Sequence, residues 1–205
     1  MFLELPVNQN EKLGWIEVIT GSMFSGKTEE LIRRLRRAQI ARQNIEIFKP
    51  SIDNRYDETH VVSHDAKQIP SKVVSTAREI LEAVDTGNVQ VVGIDEAQFF
   101  DNDIIEVADT LANNGLRVII AGLDMDYRGK PFGPMPYLMA IAEYVTKVHA
   151  ICTETGNLAH YSYRKTDADD LILVGEKQIY EPLSRAAFVR RMRLQKHEKQ
   201  TESGK

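Results

Sequence analysis

The sequence has little cysteine, no long apolar run and no excess of positive charge, and each deficit excludes a class of protein. Its one cysteine, Cys152, cannot form an intrachain disulfide and supplies no zinc-finger spacing of its own. No apolar run approaches the roughly 20 residues of a membrane-spanning helix, and no basic segment followed by an apolar core stands at the N-terminus. The net charge of −4 gives no electrostatic reason to expect a nucleic-acid or membrane partner. We therefore predict a cytoplasmic protein that binds neither.

Residues 21–28 read G-S-M-F-S-G-K-T and match the phosphate-binding P-loop pattern. The glycines let successive backbone N–H groups converge on phosphate oxygens, and the following helix adds its positive N-terminus. Lys27 is expected to reach the β- and γ-phosphates of ATP, and the Thr28 hydroxyl to bind Mg²⁺. A glycine- and serine-rich turn without function is the alternative, which the flanking strand and helix patterns disfavour. The expected phosphate-binding residues are Gly21, Ser22, Ser25, Gly26, Lys27 and Thr28.

The rest of the chain up to residue 151 alternates between strand and helix patterns. Such alternation predicts an α/β fold, a P-loop (RecA-like) domain with a mostly parallel sheet and helices on both faces. A polar leader is expected over 1–13 and a long functional loop over 51–69. The predicted strands are 15–20, 44–49, 72–75, 89–96, 117–123 and a final core strand at 145–151. The predicted helices are 29–42, 76–84, 103–113 and 137–143.

Two acidic residues follow the apolar run 89–94, at the strand end where open α/β sheets place ligands. Asp95 is expected to hold the Mg²⁺ ion through a water molecule; a helix cap is its alternative role. Glu96 is expected to accept the proton of the attacking hydroxyl or water. Motor ATPases and small-molecule kinases could both use this carboxylate, so the acids alone do not separate these classes.

The residues of several motifs are more specific than the P-loop pattern alone. Four segments, 48–56, 94–100, 122–124 and 130–133, together with 21–28, closely resemble the thymidine kinases of the human-cytosolic and bacterial type. The resemblance covers about residues 15–188, with the motifs in the same order. It implies transfer of the ATP γ-phosphate to the 5′-hydroxyl of thymidine, with deoxyuridine as a further candidate acceptor.

The resemblance also assigns expected roles to residues. It makes Glu96 the general base on the 5′-hydroxyl, in agreement with the chemical argument, and it places Asp53, Arg55 and Gln98 with the phosphates. Without it, Phe99, Phe132 and Tyr180 would be interpreted as core aromatics. The implied thymidine-binding residues are Met23, Phe99, Leu123, Phe132, Ser162, Leu171, Leu173, Val174, Gly175 and Tyr180, of which 171–180 form a lasso-like segment.

The chain departs from the family at a structural zinc site. The family usually holds this zinc with two Cys-x-x-Cys or Cys-x-x-His pairs, and a tetrahedral site needs four such ligands. Here the corresponding positions are Cys152, Thr155, Ser184 and Ala187, so we predict that zinc is absent. His149 and His160 lie nearby in sequence, but solvated or hydrogen-bonded histidines are the expected outcome.

The resemblance further implies a homotetramer and feedback inhibition by thymidine triphosphate. We expect a nucleotide-binding domain over 14–151, a small lasso domain with a hairpin of 159–164 and 171–174 over 152–188, and a basic, disordered tail over 189–205. The prediction of a basic tail rests on the composition from residue 185 onward, which includes seven Lys or Arg and two Glu. Two other functions stay open: a RecA-like motor ATPase, and a nucleotide-binding protein that has lost catalysis.

Overall fold

A six-stranded parallel sheet forms the centre of the computed structural model, which describes residues 13–52, 60–62, 68–166 and 179–202. Each neighbouring pair in this sheet is parallel, as expected for strands joined by crossover helices. From one edge to the other the strands are β5 (Lys72–Val74), β2 (Ile45–Pro50), β6 (Val91–Ile94), β7 (Arg117–Gly122), β1 (Trp15–Thr20) and β8 (Tyr144–Lys147).

Helices cover both faces of the sheet, and the alternation of side chains along β1 shows why. Ile16 and Val18 pack into one apolar cluster, whereas Ile19 packs into another on the opposite face. The first cluster includes residues of α2 (Arg78–Ala83), α3 (Asp103–Asn113) and α4 (Met135–Ile141). The second contains the apolar side of α1 (Lys27–Ile40). The mostly parallel α/β fold expected from the sequence is therefore confirmed.

The last predicted core strand, 145–151, is wrong in two respects. The chain forms β8 and then, after a break at Val148 and His149, the short strand β9 (Ala150–Ile151). β8 lies at the edge of the sheet, so Val145 is 47% exposed instead of buried. An edge strand has one neighbour and one well-covered face, which is why its side chains alternate between exposed and half-buried.

A third apolar cluster, here named the C-terminal cluster, lies outside the central sheet. Its strands are antiparallel: β9 pairs with β10 (Leu158–Ala159), and β11 (Tyr161–Arg164) pairs with β12 (Tyr180–Leu183). The strand expected over 171–174 lies outside the described residues, as do leader residues 1–12. The buried members of the cluster are Ala150, Cys152, Ala159, Tyr161, Tyr163, Leu183, Ala187 and Phe188.

Two further segments differ from the sequence-based expectation. Within the predicted loop 51–69, β3 (His60–Val62) pairs antiparallel with β4 (Gln68–Pro70). Residues 189–202 of the predicted disordered tail instead lie in a helix, α5 (Arg185–Glu202), and 203–205 lie outside the described residues. Burial of Phe188 and ion pairs of Arg190 and Arg191 with Glu154 anchor the first turns of α5. Among the described helices, α5 included, none has both the length and the apolar character that crossing a membrane requires.

Candidate active site

The P-loop connects the end of β1 to the start of α1, and two of its glycines are sterically required. Gly21 has φ +147°, and a Cβ at this position would lie 2.1 Å from the carbonyl oxygen of Val148. Gly26 has φ +82°, in the left-handed region, and directly precedes α1. Both conformations are ones that glycine adopts without steric cost. The two glycines therefore allow the tight curl that a phosphate-binding loop needs before the N-terminus of a helix.

Side chains of the loop fold back onto its own backbone. The Ser25 hydroxyl donates to the carbonyl oxygen of Ser22 at 2.7 Å, and the Lys27 ammonium donates to the same oxygen at 2.9 Å. Ser22 itself is buried. The Lys27 charge consequently lies over the loop, within reach of a phosphate group that the loop would hold.

The apex of the P-loop contacts the C-terminal cluster. The Met23 N–H donates to the Ser162 hydroxyl oxygen at 2.9 Å, and Ser162 is buried in β11. Phe24 has φ +63°, which is unusual for a residue other than glycine, and its side chain packs against the cluster. Ser162, expected beside the bound base, is therefore also a direct link between the phosphate loop and the C-terminal strands.

Asp95 lies opposite the P-loop, at the end of β6. Its Oδ2 accepts a hydrogen bond from the Thr28 hydroxyl at 3.2 Å, and its Oδ1 accepts one from the Glu96 N–H at 3.0 Å. Asp95 is only 6% exposed. The 3₁₀ turn that follows, Ala97–Phe99, has no side-chain cap, which disfavours the helix-cap interpretation of Asp95. Thr28 and Asp95 thus form an oxygen pair of the type that Mg²⁺ prefers.

Glu96 has a left-handed backbone conformation, with φ 51° and ψ 40°. For a residue with a side chain, this conformation costs energy, and such positions concentrate at functional sites. Its carboxylate is half-buried, and Oε2 accepts a hydrogen bond from the side-chain amide of Gln98 at 2.5 Å. Gln98 in turn accepts the Leu123 N–H at 2.9 Å. The carboxylate is therefore fixed next to the end of β7.

Several residues expected to bind the nucleoside lie around the carboxyl ends of β6 and β7. The Phe99 and Phe132 rings meet edge to face, with centroids 5.9 Å apart. Met23 and Leu123 are half-buried, while Tyr180 is buried at the start of β12, opposite Arg164. The remaining candidates, Asp53, Arg55, Leu171, Leu173, Val174 and Gly175, lie outside the described residues.

Comparison with known proteins identifies the family of this site. A family model described as thymidine kinase matches residues 14–188. The chain belongs to the thymidine kinase family. A thymidine kinase of Porphyromonas gingivalis is 61% identical over 175 residues, which cover 85% of each chain. One of Bacteroides thetaiotaomicron is 56% identical over 190 residues, covering 93% of this chain and 94% of that one. One of a Rhodothermus species is 58% identical over 184 residues, with coverage of 90% and 85%.

Family membership decides between two of the interpretations that the sequence left open. A P-loop with acidic residues at a strand end is compatible with motor ATPases and with nucleoside kinases, whereas the matched family is that of a nucleoside kinase. Nucleoside kinases of this family are ATP-dependent transferases, so ATP use is implied for this member as well. The RecA-like motor interpretation is accordingly dropped.

The donor set at the expected zinc position does not fit zinc. The Cys152 thiol accepts hydrogen bonds from the hydroxyls of Thr155 and Ser184 and from the N–H groups of Ser184 and Glu154. The Ser184 hydroxyl oxygen also accepts the Ala187 N–H at 3.4 Å. One thiolate with two hydroxyls and a methyl group is not a tetrahedral set of sulfur and nitrogen ligands. In the described part of the chain, no three His, Cys, Asp or Glu side chains are grouped to hold a metal ion.

His149 and His160 lie close to each other instead of completing a zinc site. Their rings meet edge to face with centroids 4.6 Å apart. Burial lowers the pKa of His160, and the neighbouring His149 and Lys147 lower it further. The lowered pKa of His160 favours the neutral form of this imidazole, as expected for packing and hydrogen bonding.

One charged pair next to the site was given no role by sequence reasoning. Asp124 follows Leu123, is 5% exposed, and pairs with the Lys147 ammonium at 2.5 Å. The Asp124 carbonyl oxygen accepts the Phe132 N–H at 3.1 Å, so this residue also fixes the backbone beside an expected thymine contact. The sequence could have indicated a role for Asp124, because it closely follows the buried strand β7. The carboxyl ends of β1, β7 and β8 lie at the same edge of the sheet, where ligands bind.

Proposed function

We propose that this chain transfers the γ-phosphate of ATP to the 5′-hydroxyl of thymidine and so produces thymidine monophosphate. The observation that carries this proposal is the contact between Thr28 and Asp95, with Glu96 as the next residue. This contact joins a phosphate loop to a carboxylate pair across the carboxyl edge of the sheet. In a member of the thymidine kinase family, it supports one site that holds ATP on one side and an acceptor hydroxyl on the other.

The phosphate half of the reaction would depend on the P-loop. Backbone N–H groups of residues 21–28 would hold the β- and γ-phosphates, and Lys27 would neutralise charge that develops on the transferred group. Mg²⁺ fits the Thr28 hydroxyl and the Asp95 carboxylate, because both are oxygen ligands and Asp95 is buried beside the loop. When bound, the ion would neutralise the β- and γ-phosphate oxygens.

Glu96 would be the catalytic residue for the acceptor half. A primary alcohol attacks phosphorus effectively only if its proton leaves, and a carboxylate within hydrogen-bond distance can take that proton. The Glu96 carboxylate lies one residue beyond the metal-side carboxylate and is held by Gln98. Proton transfer from the 5′-hydroxyl to Glu96 then accompanies transfer of the phosphoryl group, and ADP leaves.

The nucleoside would lie between the aromatic residues and the C-terminal strands. Phe99 and Phe132 offer apolar surface to the thymine ring, and such contact tolerates different bases. Discrimination would therefore come from hydrogen bonds to the base edge, as in the family. The proposed further contacts are Met23, Leu123, Ser162, Leu171, Leu173, Val174, Gly175 and Tyr180, with Asp53 and Arg55 close to the phosphates.

Other properties are proposed on the family resemblance. They are acceptance of deoxyuridine, feedback inhibition by thymidine triphosphate, a homotetramer, cytoplasmic location and independence from zinc. The division into a nucleotide-binding domain over 14–151 and a small lasso domain over 152–188 belongs to the same proposal, and the separate C-terminal cluster supports it.

A nucleoside panel tests the proposed reaction. Purified, chelator-treated protein is supplied with ATP, Mg²⁺ and thymidine, deoxyuridine, deoxycytidine, deoxyadenosine or deoxyguanosine, and monophosphates are separated by chromatography. We expect monophosphate from thymidine, a lower rate with deoxyuridine, and none above background from the other three. ATP hydrolysis that is independent of nucleoside, or ATP binding without any monophosphate, would contradict the proposal.

A further inference from the structure

Gln98 occupies a buried position between the acidic end of β6 and the end of β7. It lies in the 3₁₀ turn Ala97–Phe99 and is 3% exposed. A buried side-chain amide must use its donor and acceptor groups, because an unsatisfied one costs stability. The partners of Gln98 therefore indicate what the residue does in this site.

The amide group of Gln98 bridges two parts of the proposed site. Its nitrogen donates to Glu96 Oε2 at 2.5 Å, and its oxygen accepts the Leu123 N–H at 2.9 Å. A carboxylate can only accept and a backbone N–H can only donate, so the two partners fix the orientation of the amide. One side chain thus connects the proposed general base to the backbone of a proposed thymidine contact.

Two glycines leave room for Gln98. A Cβ on Gly122, in β7, would lie 3.0 Å from Gln98 Oε1 and 2.5 Å from the Met135 sulfur. A Cβ on Gly133, where φ is +50°, would lie 2.5 Å from the Gln98 carbonyl oxygen. Gly122 therefore lets β7 approach the side-chain amide of Gln98, and Gly133 lets a second segment approach its backbone.

We infer that Gln98 is a positioning residue that holds the Glu96 carboxylate in the orientation needed to accept the nucleoside proton, and that links this orientation to the nucleoside wall at Leu123. This inference rests on the proposed function. It assigns Gln98 a role different from the phosphate contact that the resemblance implies. Glu96 needs such a partner because its left-handed backbone conformation alone does not fix its side chain.

The inference predicts that a Gln98 variant changes kcat much more than the KM for ATP. Gln98→Met keeps the approximate size of the side chain but removes both hydrogen bonds. We expect kcat to fall by about 10- to 100-fold, because small displacements of a catalytic group have effects of this size, while the KM for ATP changes by less than about threefold.

The test compares Gln98→Met with Gln98→Glu and with Gln90→Met as the matched control. Gln90 is exposed and precedes β6, at the opposite end from Glu96, so its variant should match the unchanged protein. Gln98→Glu keeps the shape but places a second carboxylate beside Glu96, and it should lose at least as much kcat. It also serves as the second variant if Gln98→Met fails to fold, which the unfolding temperature would reveal.

A double variant separates positioning from phosphate binding. If Gln98 acts through Glu96, adding Gln98→Met to Glu96→Gln should cause little further loss of single-turnover rate. The inference would be overturned if the fold-losses of rate in the two single variants multiplied in the double variant. It would also be overturned by a KM for ATP raised more than about tenfold with kcat unchanged, or by unchanged kinetics in both Gln98 variants. Failure of the proposed function is a separate outcome, because the unchanged protein would then not phosphorylate thymidine.

Discussion

Two residues in the proposed site have a backbone conformation that their side chains disfavour. Phe24 has φ +63° in the P-loop, and Glu96 has φ +51° at the end of β6. Phe24 packs against the C-terminal cluster, and Glu96 forms hydrogen bonds with Asp95 and Gln98. Strain of this kind persists where the surroundings determine the conformation. At the scale of single residues, the site is therefore preorganised.

Glu17 shows how a buried charge is accommodated away from the site. It is 3% exposed in β1 and pairs with Arg34 at 2.7 Å and with Arg117 at 2.6 Å. Burial raises the pKa of Glu17, but hydrogen bonds from Arg117, Trp15 and Arg34 outweigh burial and lower it below the ordinary 4.5. A lowered pKa in the folded state means that the ionised form stabilises the fold.

Glu17→Gln should therefore destabilise the protein in a pH-dependent manner. At pH 7 we expect the free energy of unfolding to fall by about 3 kcal/mol, because one partner of a buried ion pair is removed. The stabilisation from Glu17 is present above its ordinary pKa of 4.5 and is lost as pH falls through the lower pKa of the folded state. The difference between the variant and the unchanged protein should thus narrow below about pH 4.5.

Chemical denaturation between about pH 3 and 8 measures this effect, within the range where the protein stays folded. Glu106→Gln is the control, since the Glu106 side chain is 74% exposed and lies 3.6 Å from Arg78. Exposed pairs contribute less than about 1 kcal/mol. This account of Glu17 would be contradicted if both variants lost the same free energy of unfolding. It would also be contradicted if the difference in this free energy between Glu17→Gln and the unchanged protein did not change with pH.

At the scale of elements, the C-terminal strands and α5 are held together without the zinc ligands that are usual in the family. Hydrogen bonds connect Cys152, in the segment after β9, to Ser184, which lies between β12 and α5. The Tyr161 and Phe188 rings stack with centroids 4.4 Å apart, and Glu154 pairs with Arg190 and Arg191 of α5. Apolar packing and ion pairs thus connect the same segments that a metal would otherwise join.

We expect stability of this region to depend on Cys152 and not on zinc. Burial raises the pKa of the Cys152 thiol, but hydrogen bonds from Thr155 and Ser184 outweigh it and lower the pKa from 9.0 to about 6. The resulting stabilisation is complete above the unfolded value of 9.0 and is lost as pH falls through about 6. Ser184→Ala should lower the free energy of unfolding by about 1 kcal/mol and weaken this pH dependence.

The measurement combines thermal unfolding between about pH 6 and 9 with elemental analysis before and after chelation. Ser75→Ala is the control, because Ser75 is exposed and its substitution should change stability by less than about 0.5 kcal/mol. A chelator that lowers the unfolding temperature and releases about one zinc per chain would contradict the metal-free account. If the Ser184 and Ser75 variants had the same stability at every pH, Ser184 would not stabilise this region through Cys152.

At the scale of the whole molecule, strand order explains where the site lies. β6, β7 and β1 are neighbours, so the P-loop after β1 and the acids after β6 meet across the end of β7. The helices α1 and α3 cover opposite faces of the sheet, and the proposed site lies at its carboxyl edge. This is the location that open α/β sheets use for ligands.

The sequence predicted the central fold because its strands are nearly continuous apolar runs and its helices have a clear apolar side. It also indicated Lys27, Thr28, Asp95 and Glu96, since these follow fixed patterns at strand ends. The bridge made by Gln98 could not be predicted, because it depends on the close approach of Gly122 and Gly133 in three dimensions. Helix α5 was missed because its charged composition resembles a solvated tail, whereas burial of Phe188 anchors it.

The central claim is that Glu96 removes the proton from the nucleoside hydroxyl while the P-loop holds ATP. Its most direct test is the rate of thymidine monophosphate formation by Glu96→Gln and by the unchanged protein, with ATP affinity measured in parallel. The amide keeps the size of the side chain but cannot accept the proton, so we predict a loss of about 10²- to 10⁴-fold in kcat with ATP affinity retained. Thymidine phosphorylation at an unchanged rate in Glu96→Gln would contradict the account.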